Sequence, residues 1–228
     1  MSADITRNIQ LYRWSRFLRS LSFWQAVWFL YFQDVLSASE AILLYAVYDV
    51  ATTVLEVPSG YMSDRIGRKK TLIASALAGL VAGVFLATGA SFMAFAMGQI
   101  LLGASMAFSS GTDEAMLYES LAATDREDEI EGQEIIAWRF SFIALALSAV
   151  TGGAMALIDP RLPFIGGAIA FGALIWVTFR MVEPPRNVDA AEGTELLRLT
   201  HLGDAFRNPI LMWFFALTVL MYGFSHLP

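Results

Sequence analysis

Two carboxylates, Asp49 and Glu56, interrupt a long apolar run that ends in the basic turn Asp64-Arg65-Ile66-Gly67-Arg68-Lys69-Lys70. With Thr53 and Gly60 they recur at 4-3-4 spacing, which places all four on one face of a helix. Counted from Glu40 at about 1.5 Å per residue, Asp49 lies about 13 Å and Glu56 about 24 Å along that helix. A carboxylate inside a bilayer costs a few kcal/mol unless it is paired, hydrated or protonated, so such groups face a bundle interior or a watered cavity. Low dielectric favours the neutral form of any carboxyl group, and an acid that takes up and releases protons is what a proton-driven carrier requires. The plainer role is an internal tie to a cation or hydroxyl of a neighbouring helix.

Other side chains extend this chemistry. Gln25 and Asp34 sit among Trp24, Trp28, Tyr31 and Phe32, a mixture that suits a cavity for an amphipathic organic solute and equally suits core packing. Arg139 falls a turn inside an apolar run, where it must snorkel to the surface or pair with a carboxylate such as Glu56 or Glu114. Pro58 removes a backbone donor, frees the carbonyl of Val54 and predicts a bend that could serve as a hinge or simply be static. There is no cysteine, and two histidines form no ligand cluster, so neither a metal nor a cofactor is expected. No nucleophile–base pair or phosphate loop points to an enzyme, and nothing points to nucleic acid.

The elements that must hold these residues are membrane helices. Hydrophobic residues make up 57% of the 228 and charged ones 16%, and the mean hydropathy is +0.56, outside the range of an ordinary soluble domain. A span takes roughly 20 apolar residues. Seven segments qualify: Phe17 to Leu36, Ala41 to Met62, Thr71 to Ala90, Phe92 to Gly111, Ile135 to Leu157, Leu162 to Val182 and Ile210 to Phe224. Lys and Arg accumulate on the cytoplasmic side of short loops. With the N-terminus inside, all but Arg161 of the 15 cationic residues fall in cytoplasmic segments or at cytoplasmic helix ends, Arg13, Arg16, Arg19, Arg139 and Arg180 among them. The expected organisation is a cytoplasmic N-terminal segment over 1–16, six spans over 17–182, a cytoplasmic linker over 183–209 with a surface helix from Leu196 to Phe206, and a seventh span over 210–228.

The turn reads G-x-x-x-D-R-x-G-R-K from Gly60 to Lys69, and its flanks are both of span length. It resembles the loop between helices 2 and 3 of the major facilitator superfamily, secondary transporters whose two halves each contain six membrane helices. Ser110 to Leu121 reads S-G-x-x-x-A-x-x-Y-x-x-L and is similar to that family's fourth-helix exit. The resemblance implies an all-α, multi-pass protein of the plasma membrane, a bacterial inner membrane, that moves a small organic solute by alternating access with proton coupling, as in drug or metabolite efflux. It implies that Gly60, Asp64, Arg65, Gly67, Arg68 and Lys69 form a cytoplasmic gating loop, with Asp64 and Arg68 in a charge cluster that latches the halves. Asp113 is the expected partner of Arg68, with Glu114 beside it. Two departures concern coupling. Gln99 stands where the family often has an arginine four residues before a glycine, here Gly103, and Ser148 to Gly153 keeps two glycines without the Gly-Pro pair of many antiporters. Five further spans are missing, so a truncated carrier or inactive fragment is expected. An uncoupled facilitator and a non-transporting scaffold or sensor are the alternatives.

Overall fold

A computed structural model describes residues 2–185 and, beyond them, Pro209, Met212, Trp213, Ala216 and Leu217, all five helical. The chain divides into two units, Met1–Pro185 and Arg186–Pro228. The expected linker helix, and all of the expected seventh span except Met212, Trp213, Ala216 and Leu217, lie outside the described residues. The first unit is all helical among its described residues: α1 (Ser2–Arg19), α2 (Trp28–Gln33), α3 (Ala38–Ile66), α4 (Arg68–Thr88), α5 (Phe92–Ser109), α6 (Thr112–Ala122), a 3-10 turn (Glu127–Glu129), α7 (Ile130–Ile158) and α8 (Leu162–Arg180).

Local sequence explains the helix starts. Ser37 and Glu40 form a capping box: the Ser37 hydroxyl accepts from the Glu40 N–H at 3.3 Å, and the Glu40 carboxylate accepts from the Ser37 N–H at 2.9 Å. Ser91 caps α5 by accepting from the Ala94 N–H at 3.4 Å. Pro163 sits in the first turn of α8, where its missing donor is harmless. The helix α3 runs unbroken through Pro58, and the Ser59 hydroxyl donates to the Glu56 carbonyl at 2.6 Å beside it.

Five stretches are long and apolar enough to cross a membrane: Ala38–Glu56, Arg68–Thr88, Phe92–Ala122, Glu127–Ile158 and Leu162–Arg180. They coincide with the second to sixth expected spans. The first does not form as expected. Instead of one helix over Phe17 to Leu36, α1 ends at Arg19, residues 20–27 form turns, and the short α2 resumes at Trp28. The segment 1–16, expected as a cytoplasmic lead-in, is most of α1 and packs on α6, α7 and α8. The break is accommodated by its neighbours: a Cβ at Gly152 of α7 would meet the Phe23 carbonyl, and one at Gly167 of α8 would meet the Trp24 ring. Irregular backbone at membrane depth survives only where protein buries it or a cavity receives it.

Packing is uneven. The centre is α4, whose buried Ala76, Gly79, Ala82 and Gly83 let α5 and α8 approach closely. Half of the most apolar stretch is buried in α4, in α5–α6 and in α8, against 22% in α7 and 11% in α3, so α3 and α7 present open faces. The α3 face is the one carrying Thr53, Glu56 and Gly60, all exposed, with nothing within 4 Å of where a Gly60 Cβ would sit.

Candidate functional site

A cavity of about 160 Å³ opens where the first span is broken. The turn supplies Ser22, Trp24 and Gln25, α2 supplies Trp28 and Phe32, α3 supplies Tyr45 and Tyr48, and α5 supplies Gln99 and Ser105. Stacked aromatic pairs build its walls: Trp28 on Tyr45 with centroids 5.6 Å apart, and Trp24 on Phe164 at 6.4 Å. Arg19, the last residue of α1, also lines it, donating to the Ser75 hydroxyl at 2.9 Å. Ser75 in turn donates to the Ser105 carbonyl at 2.6 Å, tying α4 to α5. Sequence reasoning placed Arg19 at the water boundary. It missed this residue because a cation at the foot of an apolar run reads as a boundary marker, and only the break turns it inward.

At the basic-loop end the polar groups are densely paired. Arg16 bonds Asp113 at 3.1 Å and lies 4.8 Å from the centroid of the Trp138 ring. Burial alone would lower the Arg16 pKa, but the Asp113 charge and hydrogen bond, with Tyr12 and Glu134, together outweigh it and hold the guanidinium above its usual range. Tyr12 donates to Glu134 at 2.6 Å, and burial, then the Asp113 charge and this bond, push its phenol well above the ordinary range. Asn8 is buried and donates to Ser120 at 2.9 Å and to the Val182 carbonyl at 2.7 Å, while accepting from the Val182 N–H at 2.9 Å. This amide thereby fastens α1 to α6 and to the chain leaving α8.

The loop itself is a second knot. Arg68 donates to Asp64 at 2.6 Å, to Ser63 at 2.8 Å and to Glu119 at 3.0 Å. The Glu183 carboxylate accepts the backbone N–H groups of Arg68 at 2.7 Å and Lys69 at 2.9 Å, satisfying the start of α4 and complementing its dipole. Gly67 makes that approach possible: its φ is +120°, and an added Cβ would lie 2.9 Å from a Glu183 oxygen. Arg65 rests over the Tyr61 ring, 4.9 Å from its centroid.

Three expectations are corrected here. Arg68 does not pair with Asp113, because Asp113 is buried against Arg16 and Arg68 turns to Asp64 and Glu119. Arg139 is exposed and pairs with neither Glu56 nor Glu114; Glu56 instead accepts from the Ser110 hydroxyl at 3.1 Å, and Glu114 is exposed. Of the polar and charged solute-site candidates only Gln25 lines the cavity, beside the expected Trp24, Trp28 and Phe32. Asp34 ends α2 at an exposed position, and Asp49 is half-buried on α3, outside the lining and without a hydrogen bond or ion pair among the described residues.

The family model described as Major Facilitator Superfamily matches residues 14–228. The chain belongs to that superfamily. It is a multi-pass membrane transporter by family and by its apolar helices. No curated protein matches it. In this transporter the position where the resemblance expects an arginine, Gln99, does line the cavity, and the cation there is Arg19 of α1.

Proposed function

We propose that this transporter moves a small organic solute by alternating access, the described half rocking against a second half across the open faces of α3 and α7. The observation that carries the reading is the aromatic and polar cavity at the broken first span, an arrangement that pure packing would fill. In this reading the N-terminus and the basic loop are cytoplasmic, the membrane is the plasma membrane, and the Arg68 knot stabilises one end of the motion. Pro58 serves as the hinge of α3. Asp49 is the coupling acid, because it is half-buried at mid-helix with no partner among the described residues, while Glu56 is already held by Ser110.

The test is solute flux into sealed membrane vesicles containing the full chain. Coupled transport predicts flux that collapses on adding an uncoupler, and an Asp49→Asn variant that retains downhill flux but no longer responds to a proton gradient. Flux insensitive to the uncoupler supports the uncoupled facilitator and removes Asp49 from its role. Vesicles indistinguishable from those lacking the chain support the scaffold reading.

A further inference from the structure

Arg19 lines the cavity with a neutral hydroxyl as its partner. Its guanidinium reaches Ser75, eight residues past Gly67, so it points about 12 Å along the bundle from that loop rather than back to the surface. Its partner is a neutral hydroxyl, and among the described residues no carboxylate lies within ion-pair distance of it. The Asp113 charge acts on Arg19 from a distance, but its oxygens bond Arg16 at 3.1 Å and the Glu114 N–H at 3.0 Å and make no ion pair with Arg19. An interior arginine with no carboxylate at ion-pair distance keeps donors that an incoming anion can take.

A second group points to the same place. Gln99 is only 7% exposed, lines the cavity, and its amide has no hydrogen-bond partner among the described residues. That amide is open to the cavity, where a ligand oxygen can accept from it. Around the two donors the lining is aromatic, with Trp24, Trp28, Tyr45 and Tyr48. The volume of about 160 Å³ is close to the roughly 150 Å³ of a cavity known to admit benzene.

We propose, resting on the transport reading of this cavity, that Arg19 and Gln99 form a carboxylate-binding subsite and that the solute class is small aromatic carboxylates. The guanidinium takes the carboxylate by charge-assisted hydrogen bonds, the Gln99 amide donates to one of its oxygens, and the ring lies between the Trp28–Tyr45 and Trp24–Phe164 walls.

The test is equilibrium dialysis of the full chain, purified in nonionic detergent, against radiolabelled benzoate, its neutral isostere benzamide, and the cation benzylamine. Benzoate binds saturably, about tenfold or more tighter than benzamide, since each lost charge-assisted contact is worth that order. Benzylamine does not bind saturably, and equimolar chloride does not displace benzoate. Arg19→Gln loses about tenfold or more, Arg19→Lys loses less because the charge stays, and Gln99→Leu loses a few-fold. The proposal is overturned by absent benzoate binding, by equal retention of benzoate and benzamide, by preference for benzylamine, by displacement with equimolar chloride, or by unchanged affinity in Arg19→Gln. If Arg19→Gln does not fold, unchanged affinity in Gln99→Leu overturns it instead. Benzoate binding without flux leaves the subsite standing and removes the transport reading; flux without charge discrimination does the reverse.

Discussion

Arg16 and Arg19 lie three residues apart on α1 and meet opposite environments. Arg16 is locked to buried Asp113 and covered by Trp138, within a knot that also holds Tyr12, Glu134 and Asn8. Arg19, almost one turn further on, has left the knot and faces the cavity with a single neutral partner. The difference teaches how this fold divides labour: one end is closed by ion-paired and hydrogen-bonded groups, although the Arg16 Nε lacks a partner there, and one turn away the same helix delivers a cation with a neutral partner to a cavity. The turns over 20–27 mark the change, because they stop α1 at Arg19 and send Trp24 and Gln25 into the same cavity.

The contrast can be broken most forcefully at Arg16. Arg16→Gln strands a buried carboxylate and is expected to cost about 3 kcal/mol or more, read as a fall in the thermal unfolding midpoint in detergent. Adding Asp113→Asn restores part of the loss, and a midpoint equal to the parent's would show that the pair does not hold the closed end. Gly67→Ala is next. Strain at its positive φ and crowding of Glu183 predict a loss of about 1–3 kcal/mol, whereas Glu183→Gln, which keeps a weaker cap on α4, loses about 1 kcal/mol or less. Asn8→Ala opens the clasp on Val182 and is expected to cost about 1 kcal/mol by removing the hydrogen bonds to Ser120 and to the Val182 backbone. The smallest stability change belongs to Arg19→Gln: removing an unpaired interior charge leaves the midpoint unchanged or raises it. A fall as large as that of Arg16→Gln would erase the distinction between the two ends.

Much of this molecule was legible from residue types. Five apolar runs of span length became helices because a membrane requires backbone groups to be satisfied within each segment. The G-x-x-x-D-R-x-G-R-K turn announced its tight geometry, but not the direct Asp64–Arg68 pair, since Arg68 was expected on Asp113. What escaped prediction depended on contacts between distant parts of the chain. Nothing in Ser20 to Val27 is a helix breaker by composition, and the break there is permitted by space at Gly152 and Gly167, over a hundred residues away. Arg19 was counted with surface cations for the same reason. Glu183 looked like the first acid of a polar linker, although its carboxylate caps α4. Asn8, an unremarkable amide in an N-terminal stretch, turned out to bridge three parts of the bundle. Asp113 was assigned to the wrong arginine because sequence gives the depth of a charge but not the side of a helix from which its partner comes.

The absence of native cysteine allows the two arginine positions to be compared directly by single-cysteine labelling. The decisive measurement is the rate at which a water-soluble methanethiosulfonate modifies Arg19→Cys and Arg16→Cys in the otherwise unaltered full chain, with and without benzoate. The structure predicts ready modification at 19, slowed by benzoate, and little modification at 16. Equal rates at the two positions, or a faster rate at 16, would contradict a closed end and an open cavity one turn apart.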